Sequence, residues 1–402
     1  MQDTNRRLPD WIDAFMLLTE NSEPPEMFRK WTAISVVASA LQRKVRVEWG
    51  TSLTFYPNFY IVLVGPSATG KGTAMTFGLD IMGKVPSIRF SADATSIQAL
   101  IRRLKETNLT DIDYITGKQQ FHSSMTVFSE EFTVFLGYRD LDKMSILCNW
   151  YDCRSKWAYE TISRLKEEII GVWVNMLAGT TPDSLQSSLP PESIGGGLTS
   201  RIIFVYEEKR GKLVTLPIKT KEEVQLQEDL IHDLEEISMM SGLFRYTEEF
   251  MKLWDTWCHE AEGNPPFHTT KFDGYIGRRR AHLMKLSMVM SASDGLREEK
   301  LVLTQDDLER SIGLLIEVEA KMGLTFGGMG RSDLSDMIHK AVIFFKSLDV
   351  KEVPFWQFAR SFEGDLDKFE MEKVIHTLEA MKMVDRVRKP GADEMIVVLG
   401  DD

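Results

Sequence analysis

Three features of this sequence predict an α/β fold. A buried strand runs directly into a glycine-rich turn and a helix, further apolar strands each end in polar residues, and amphipathic helical stretches flank the whole. The first feature reads Ile61-Val62-Leu63-Val64-Gly65-Pro66-Ser67-Ala68-Thr69-Gly70-Lys71-Gly72-Thr73. Four apolar β-formers supply the strand, and Gly65 and Gly70 permit the tight turn. Backbone N–H groups of residues 66–72 then converge on a phosphate, Lys71 reaches the β- and γ-phosphates, and the helix that follows presents its positive N-terminus. The spacing is that of G-x-x-x-x-G-K-[ST] with one departure, Gly72 in the Ser/Thr position and Thr73 after it. A glycine there offers no hydroxyl to Mg²⁺, a role left to water or Thr73. The pattern implies a nucleoside triphosphate, ATP with Mg²⁺.

The other elements follow in order. Residues 9–42 read as helical, with Pro9 opening the first stretch and Trp11, Ile12 and Phe15 on one side. Pro24-Pro25 breaks it, and Trp31, Ile34, Val37 and Leu41 return at helical spacing. Val45-Arg46-Val47-Glu48-Trp49 alternates like a strand, closing an N-terminal helical segment of residues 1–50. The core of residues 51–215 contains three more strands. Met125-Thr126-Val127-Phe128 ends in Ser129-Glu130-Glu131. Val172-Trp173-Val174-Asn175-Met176-Leu177-Ala178 ends in Gly179-Thr180-Thr181-Pro182, and Ile202-Ile203-Phe204-Val205-Tyr206 follows Ser200-Arg201. Polar residues therefore gather at the strand C-termini, where an open α/β sheet places its ligand. Residues 216–326 are a helical lid. Gly327-Gly328-Met329-Gly330 reads as a linker, and residues 331–402 show the helix, extended piece, helix, helix and two strands of a winged helix.

Composition sets limits on function. A chain of 402 residues needs two or three structural units. No apolar run is long enough for a bilayer, and Met1-Gln2-Asp3-Thr4-Asn5-Arg6-Arg7 has no signal-peptide core behind it. Cys148, Cys153 and Cys258 show neither pairing nor C-x-x-C spacing, which points to a reducing cytoplasm and no structural metal. The net charge of −12 weighs against a protein that coats nucleic acid, while leaving room for a locally basic channel.

ATP hydrolysis needs a group that orients water and positive charge on the leaving phosphate. Glu131 suits the first role, with Glu130 or Ser129 holding the Mg²⁺ shell; otherwise the two acids mark an exposed strand end. Thr181, at the neighbouring strand tip, is placed to bond the γ-phosphate or the water, or is simply structural before Pro182. Arg201 follows Gly195-Gly196-Gly197 and either reaches a neighbouring subunit's site or is a salt-bridged sheet-edge residue. Arg278-Arg279-Arg280 opens a helix and offers one cation to the γ-phosphate, or else forms a solvated face.

Together these residues resemble an AAA+ ATPase of the helicase branch that includes the minichromosome maintenance proteins. The ATPase half of phage and plasmid primase–helicase-like proteins is the nearer likeness. The resemblance is carried by residues 65–73, Glu130-Glu131-Phe132, Ala178-Gly179-Thr180-Thr181-Pro182, Leu198-Thr199-Ser200-Arg201 and residues 278–287, with residues 8–60 also typical of the phage group. It implies Lys71 and Thr73 as phosphate ligands, Glu131 as catalytic glutamate and Thr181 as first sensor. Arg201 would be an arginine finger acting in trans and Arg278 the second sensor. The departures are Gly72 for Ser/Thr, Glu130 for Asp and Thr181 for Asn. With no primase-like segment ahead of it, the chain is expected to be a stand-alone motor, a homo-oligomeric ring of six.

In the resembled family a hairpin at residues 157–171 lines the ring's pore, so Arg164 and Lys166 are the expected DNA contacts, with Lys118 a lesser one. The winged helix carries six acids against three lysines over residues 363–383. Only Arg386, Arg388 and Lys389 of its wing suit phosphate, which favours a protein-contacting role over DNA reading. The expected function is ATP-driven translocation on DNA during phage or plasmid replication, in the cytoplasm of a bacterial host. An AAA+ initiator or helicase loader is the alternative. A small-molecule kinase fits less well, because about sixty residues precede the loop.

Overall fold

Five strands form the central sheet of this mixed α/β protein: β1 (Tyr60–Val64), β2 (Asn108–Ile112), β3 (Gln119–Ser129), β4 (Val172–Thr180) and β5 (Ile202–Tyr206). They lie in the order β2-β3-β4-β1-β5, and every pair is parallel except β2 with β3. The computed structural model describes residues 5–91, 96–112, 117, 119–161, 164–190, 193, 195–216, 218–326, 333–346, 352–362, 366–387 and 394–399. The chain forms two compact units, Met1–Phe326 and Gly327–Asp402.

All residues of β1 and β4 are buried, as expected of strands covered on both faces. Asn175 is the polar residue in the middle of β4. Its Oδ1 accepts from Phe59 N at 2.8 Å, and its Nδ2 donates to Ser35 O, Ser35 Oγ and Ser39 Oγ at 3.0–3.1 Å. A buried amide with this many partners is stabilising, whereas an unpaired one would be costly. Ser35 and Ser39 both belong to α2 (Glu26–Leu41), which follows α1 (Trp11–Leu18), and thirteen residues of α2 are buried. The N-terminal segment is thus part of the core, packed on the sheet and on α3 (Lys71–Met82).

The helical region joins the same unit. The helix Lys221–Ser238 opens with a capping box of Thr220 and Glu223 and buries Asp233. That carboxylate accepts from Arg6 Nε at 2.8 Å, Arg7 N at 2.8 Å and Leu8 N at 2.9 Å. Burial alone would raise its pKa; the hydrogen bonds outweigh burial and hold it below the ordinary carboxylate value. The helices Arg279–Ser293 and Gln305–Met322 are tied by the Arg279–Glu319 pair at 2.7 Å.

The second unit runs helix (Asp333–Lys346), strand (Glu352–Pro354), helices (Phe355–Ser361 and Lys368–Ala380) and two strands (Val384–Val387 and Met395–Val398). Its three strands form an antiparallel sheet over a core of its own that includes Phe345, Phe358, Val374, Leu378 and Ile396. The element order is the one the sequence predicts. Arg386 departs from expectation. Its guanidinium is ion-paired with Glu372 at 2.7 Å, Glu394 at 3.3 Å and Glu379 at 3.6 Å, so it offers little charge to a phosphate. Residues 327–330, Arg388 and Lys389 lie outside the described residues.

Two buried histidines link this core to pH. His122, whose Nδ1 meets Ser124 Oγ at 2.8 Å, has its pKa lowered to about 4 by burial and then by Lys44 and Arg43. His282 is lowered to about 3 by burial and then by Lys285 and Arg278. The unfolded chain takes up both protons near the free-histidine value of about 6.5, before the folded one does. Stability is therefore full above that value and falls as pH drops below it, by at most about 1.4 kcal/mol per pH unit for each group. Urea denaturation at pH 7.5 and 5.0 is expected to give a clearly lower midpoint at pH 5.0; equal midpoints would contradict the neutral, buried state of both rings.

Candidate active site

The register of the sheet sets the site. Val64 lies opposite Thr180 on one side and Tyr206 on the other, so the ends of β1, β4 and β5 reach one edge together. Ser129 pairs with Ala178, which brings the end of β3 beside them. Gly65 N donates to Thr180 O at 3.3 Å, and Glu207 N donates to Val64 O at 2.9 Å.

The chain then turns through residues 66–69 into α3, with Gly70 as N-cap at φ 89° and ψ 16°. A side chain at Gly70 would also meet Pro24 Cα at 3.0 Å, and one at Gly65 would meet Glu207 O at 2.4 Å. Glycine is required at both places, once by conformation and once by close packing. Thr69 Oγ1 donates to Pro66 O at 2.9 Å and closes the turn. The first-turn amides of α3 lack intrahelical acceptors, and the helix dipole adds positive potential at the same end. Pro66, Ser67 and Ala68 are exposed at the rim.

Lys71 Nζ donates to Gly65 O at 2.6 Å and Pro66 O at 2.8 Å. Burial lowers its pKa and the Glu131 carboxylate works against that, so the two side chains share one field. Glu130 stands over the start of α3, since a Cβ on Gly72 would lie 3.7 Å from its Oε2. The missing side chain at Gly72 therefore leaves room beside a carboxylate, and the exposed Thr73 follows on the same turn. Among the described residues no three His, Cys, Asp or Glu form a metal cluster. A Mg²⁺ arriving with phosphate oxygens and water would have the Glu130 carboxylate and the Thr73 hydroxyl as its candidate protein ligands.

Two hydroxyls expected in the chemistry have structural bonds. Ser129 Oγ donates to Glu131 O at 3.1 Å and fixes the acidic turn. Thr181 caps the helix Pro182–Ser188, accepting from Ser184 N at 3.2 Å and donating to Ser184 Oγ at 2.9 Å. It stands at the site's edge, yet its hydroxyl reaches a phosphate only by leaving Ser184. Glu207, unremarked in the sequence, also stands against the loop, its carbonyl beside Gly65. Both its carboxylate oxygens accept from Lys321 Nζ, at 2.8 and 2.7 Å, tying the strand end next to Gly65 to the helix Gln305–Met322. Its signal was available: Glu207-Glu208 follows a strand as Glu130-Glu131 does.

The expected arginines lie elsewhere. Tyr60 pairs with Ile202, so Arg201 sits beyond the opposite end of β1 from the loop, level with Phe59 and about 20 Å from Gly65 at a rise of ~3.3 Å per residue. Its guanidinium is held by Asp152, with Nη2 at 3.0 Å from Oδ2 and Nε at 3.4 Å from Oδ1, and by Gly197 O at 3.0 Å from Nη1. Arg278 joins the same corner. It acts with Arg201 on Cys148, Tyr151 and Lys285, so it does not face the loop of its own chain. The reason is that the helix Arg279–Ser293 begins beside the N-terminal end of β5, where Gly274 N donates to Gly195 O at 3.1 Å. Arg279 and Arg280 are committed to Glu319 and Glu262. Lys285 is buried in that corner, donating to Asn58 O and Oδ1 at 3.0 and 2.8 Å and lying 3.8 Å from the Tyr151 ring centre; burial lowers its pKa to about 8.

The expected hairpin is present as two antiparallel strands, Lys156–Thr161 and Arg164–Ile170, with Thr161 opposite Arg164. The side chains of Arg164 and Lys166, and the whole of Lys118, lie outside the described residues. No helix among the described residues is long and apolar enough to cross a membrane. No protein-family model and no curated protein matches the chain.

Gly65→Ala tests the loop geometry directly. The added methyl is expected to displace the loop from Glu207 and to lower affinity for a fluorescent ATP analogue at least tenfold, with a lowered thermal midpoint. Unchanged binding would show that the turn does not cradle phosphate.

Proposed function

We propose that this chain is an ATP-hydrolysing motor of the AAA+ helicase type, acting on DNA as a head-to-tail ring of copies of itself, six in number. One observation carries the reading. The glycine loop, Lys71, Glu130 and Glu131 sit at one end of the sheet, and Arg201 and Arg278 sit together at the other. A single chain thus has a phosphate cradle without its arginines and a pair of arginines without a phosphate. A head-to-tail contact joins the two halves, and such contacts close into rings when the rotation allows.

The roles follow from charge and position. Loop amides and Lys71 neutralise the β- and γ-phosphates, and Glu131 orients the attacking water. A Mg²⁺ beside Glu130 and Thr73 would withdraw charge from the phosphate oxygens. Arg201 and Arg278 of the neighbouring copy stabilise the charge that develops on the leaving oxygens. The strand ends and the positive helix start support the nucleotide reading, and the loop-to-helix geometry around Gly70 supports the P-loop core. The hairpin Lys156–Ile170 would be the nucleic-acid contact in the ring's opening. The second unit has the element order of a winged helix, and its neutralised Arg386 supports a protein-contacting role.

Steady-state ATPase with and without single-stranded DNA tests this. DNA is expected to stimulate the wild type, and Lys71→Ala is expected to remove activity by about a hundredfold or more. Arg201→Ala is expected to cost about 10³-fold and, mixed equally with wild type, to leave well under half the rate. Simple averaging in the mixture, with activity indifferent to DNA, would refute the ring motor. Stimulation by DNA without strand separation would assign the chain to the loader class.

A further inference from the structure

Asp152 was not singled out by the sequence, and its position explains why Arg201 is not free. It follows the helix Leu141–Tyr151 as its C-cap, and its carboxylate spans Nη2 and Nε of Arg201. The arginine side chain is only 12% exposed while the aspartate's is 45% exposed, so the acid lies on the outward face of the guanidinium. An incoming phosphate from a neighbouring copy would have to displace it. Asp152 also acts on Tyr151 and Lys285, against Arg201 and Arg278. With it in place one carboxylate offsets part of the positive charge of Arg201, Arg278 and Lys285; with it swung away, Arg201 loses its acid partner.

The same residue stands at the root of the hairpin. Cys153 follows with φ 50°, a strained conformation for a residue other than glycine. Arg154 O then accepts from Val172 N at 3.1 Å, Ser155 O accepts from Gly171 N at 2.7 Å, and Lys156 begins the first hairpin strand. Arg43 Nη1 donates to Cys153 O and, at 3.0 Å, to Val172 O, clamping both legs of the root. Trp150, two residues before Asp152, packs edge-on against Trp157 of the hairpin at 5.6 Å between ring centres. The hairpin is therefore joined to residues 150–155 by backbone hydrogen bonds and by the Trp150–Trp157 contact.

We propose that Asp152 is a positioning residue that holds Arg201 within its own chain until single-stranded nucleic acid displaces the hairpin, and then releases it to the neighbouring copy's phosphate. The inference rests on the reading of Arg201 as a cation supplied in trans. It makes stimulation by DNA a release of restraint. The chemistry is competitive: a bidentate arginine–carboxylate pair with its acid in water is exchangeable, and a phosphate offers the guanidinium a more highly charged partner of the same fork geometry.

The test compares ATPase of wild type, Asp152→Asn, Asp152→Ser, Asp152→Glu and Arg201→Ala, each with and without oligo-dT. Asp152→Asn and Asp152→Ser are expected to raise the rate without DNA several-fold and bring the stimulation ratio close to one. Asp152→Glu, which keeps the acid, is expected to restore most of the stimulation. Thermal midpoints close to wild type identify the folded variants, and the two removals guard against one of them failing to fold. If Arg201→Ala is inactive while the Asn and Ser variants keep wild-type basal rate and stimulation, the latch is refuted and the trans arginine stands. If folded Asn and Ser variants lose basal activity, Asp152 supports Arg201 rather than restraining it, and the latch is likewise refuted. If Arg201→Ala is as active as wild type, the trans reading falls, and the latch with it.

Discussion

The pairing of β1 with parallel strands on both sides is the constraint on which the rest of this protein depends. Tyr60 through Val64 are locked against Met176–Thr180 and against Ile202–Tyr206 in one register. A slip of one residue would turn every buried side chain to the other face, so the register is strongly specified. That register alone decides that the glycine loop, Thr181 and Glu207 share one edge. It decides equally that Arg201 falls at the opposite edge. The division of the site into a phosphate half and a cation half is a consequence of strand alignment rather than of any local motif.

The charged side chains sort into two kinds by what surrounds them. Arg6 with Asp233, Arg279 with Glu319 and Arg297 with Asp307 are pairs with little solvent exposure, each fixed by further hydrogen bonds. Breaking one would leave an uncompensated buried charge, so these pairs hold helices in a single arrangement. Arg201 with Asp152 is different because half of the pair stands in water. Net charge, at −12, says nothing about this difference. What separates a structural arginine from an available one is the solvent exposure of its partner.

Much of the fold was legible in the sequence because the signals are local. The strand before Gly65, the break at Pro24-Pro25, the polar ends of β3 and β4 and the element order of residues 333–399 all rest on short-range patterning, and each appears where expected. The glycine loop was legible for the same reason: close packing of Gly65 on Glu207 and the left-handed Gly70 admit few other residues. Arg201 was legible as a salt-bridged residue at the sheet edge, but its partner Asp152 was not, nor were the surroundings of Arg278 and Arg386. Arg278 was expected to offer a cation to the γ-phosphate; the start of its helix packs at the N-terminal end of β5, a long-range contact that local patterning does not encode. Arg386 looked like a wing cation, and three glutamates distant in sequence neutralise it.

The sequence by itself determined the strands, the turn that follows β1, the acids at the end of β3 and the division near Phe326, because each depends on neighbours within a few residues. Only the tertiary structure decided which polar residues are committed and which are available. Thr181 is bound to Ser184, Ser129 to the Glu131 carbonyl, and Lys71 shares its field with Glu131. Asp152 and Glu207 entered the site only when separate segments were brought together by the sheet register. Hydrogen bonds and ion pairs depend on distances of about 3 Å between groups far apart in the chain, and a linear pattern does not carry those distances.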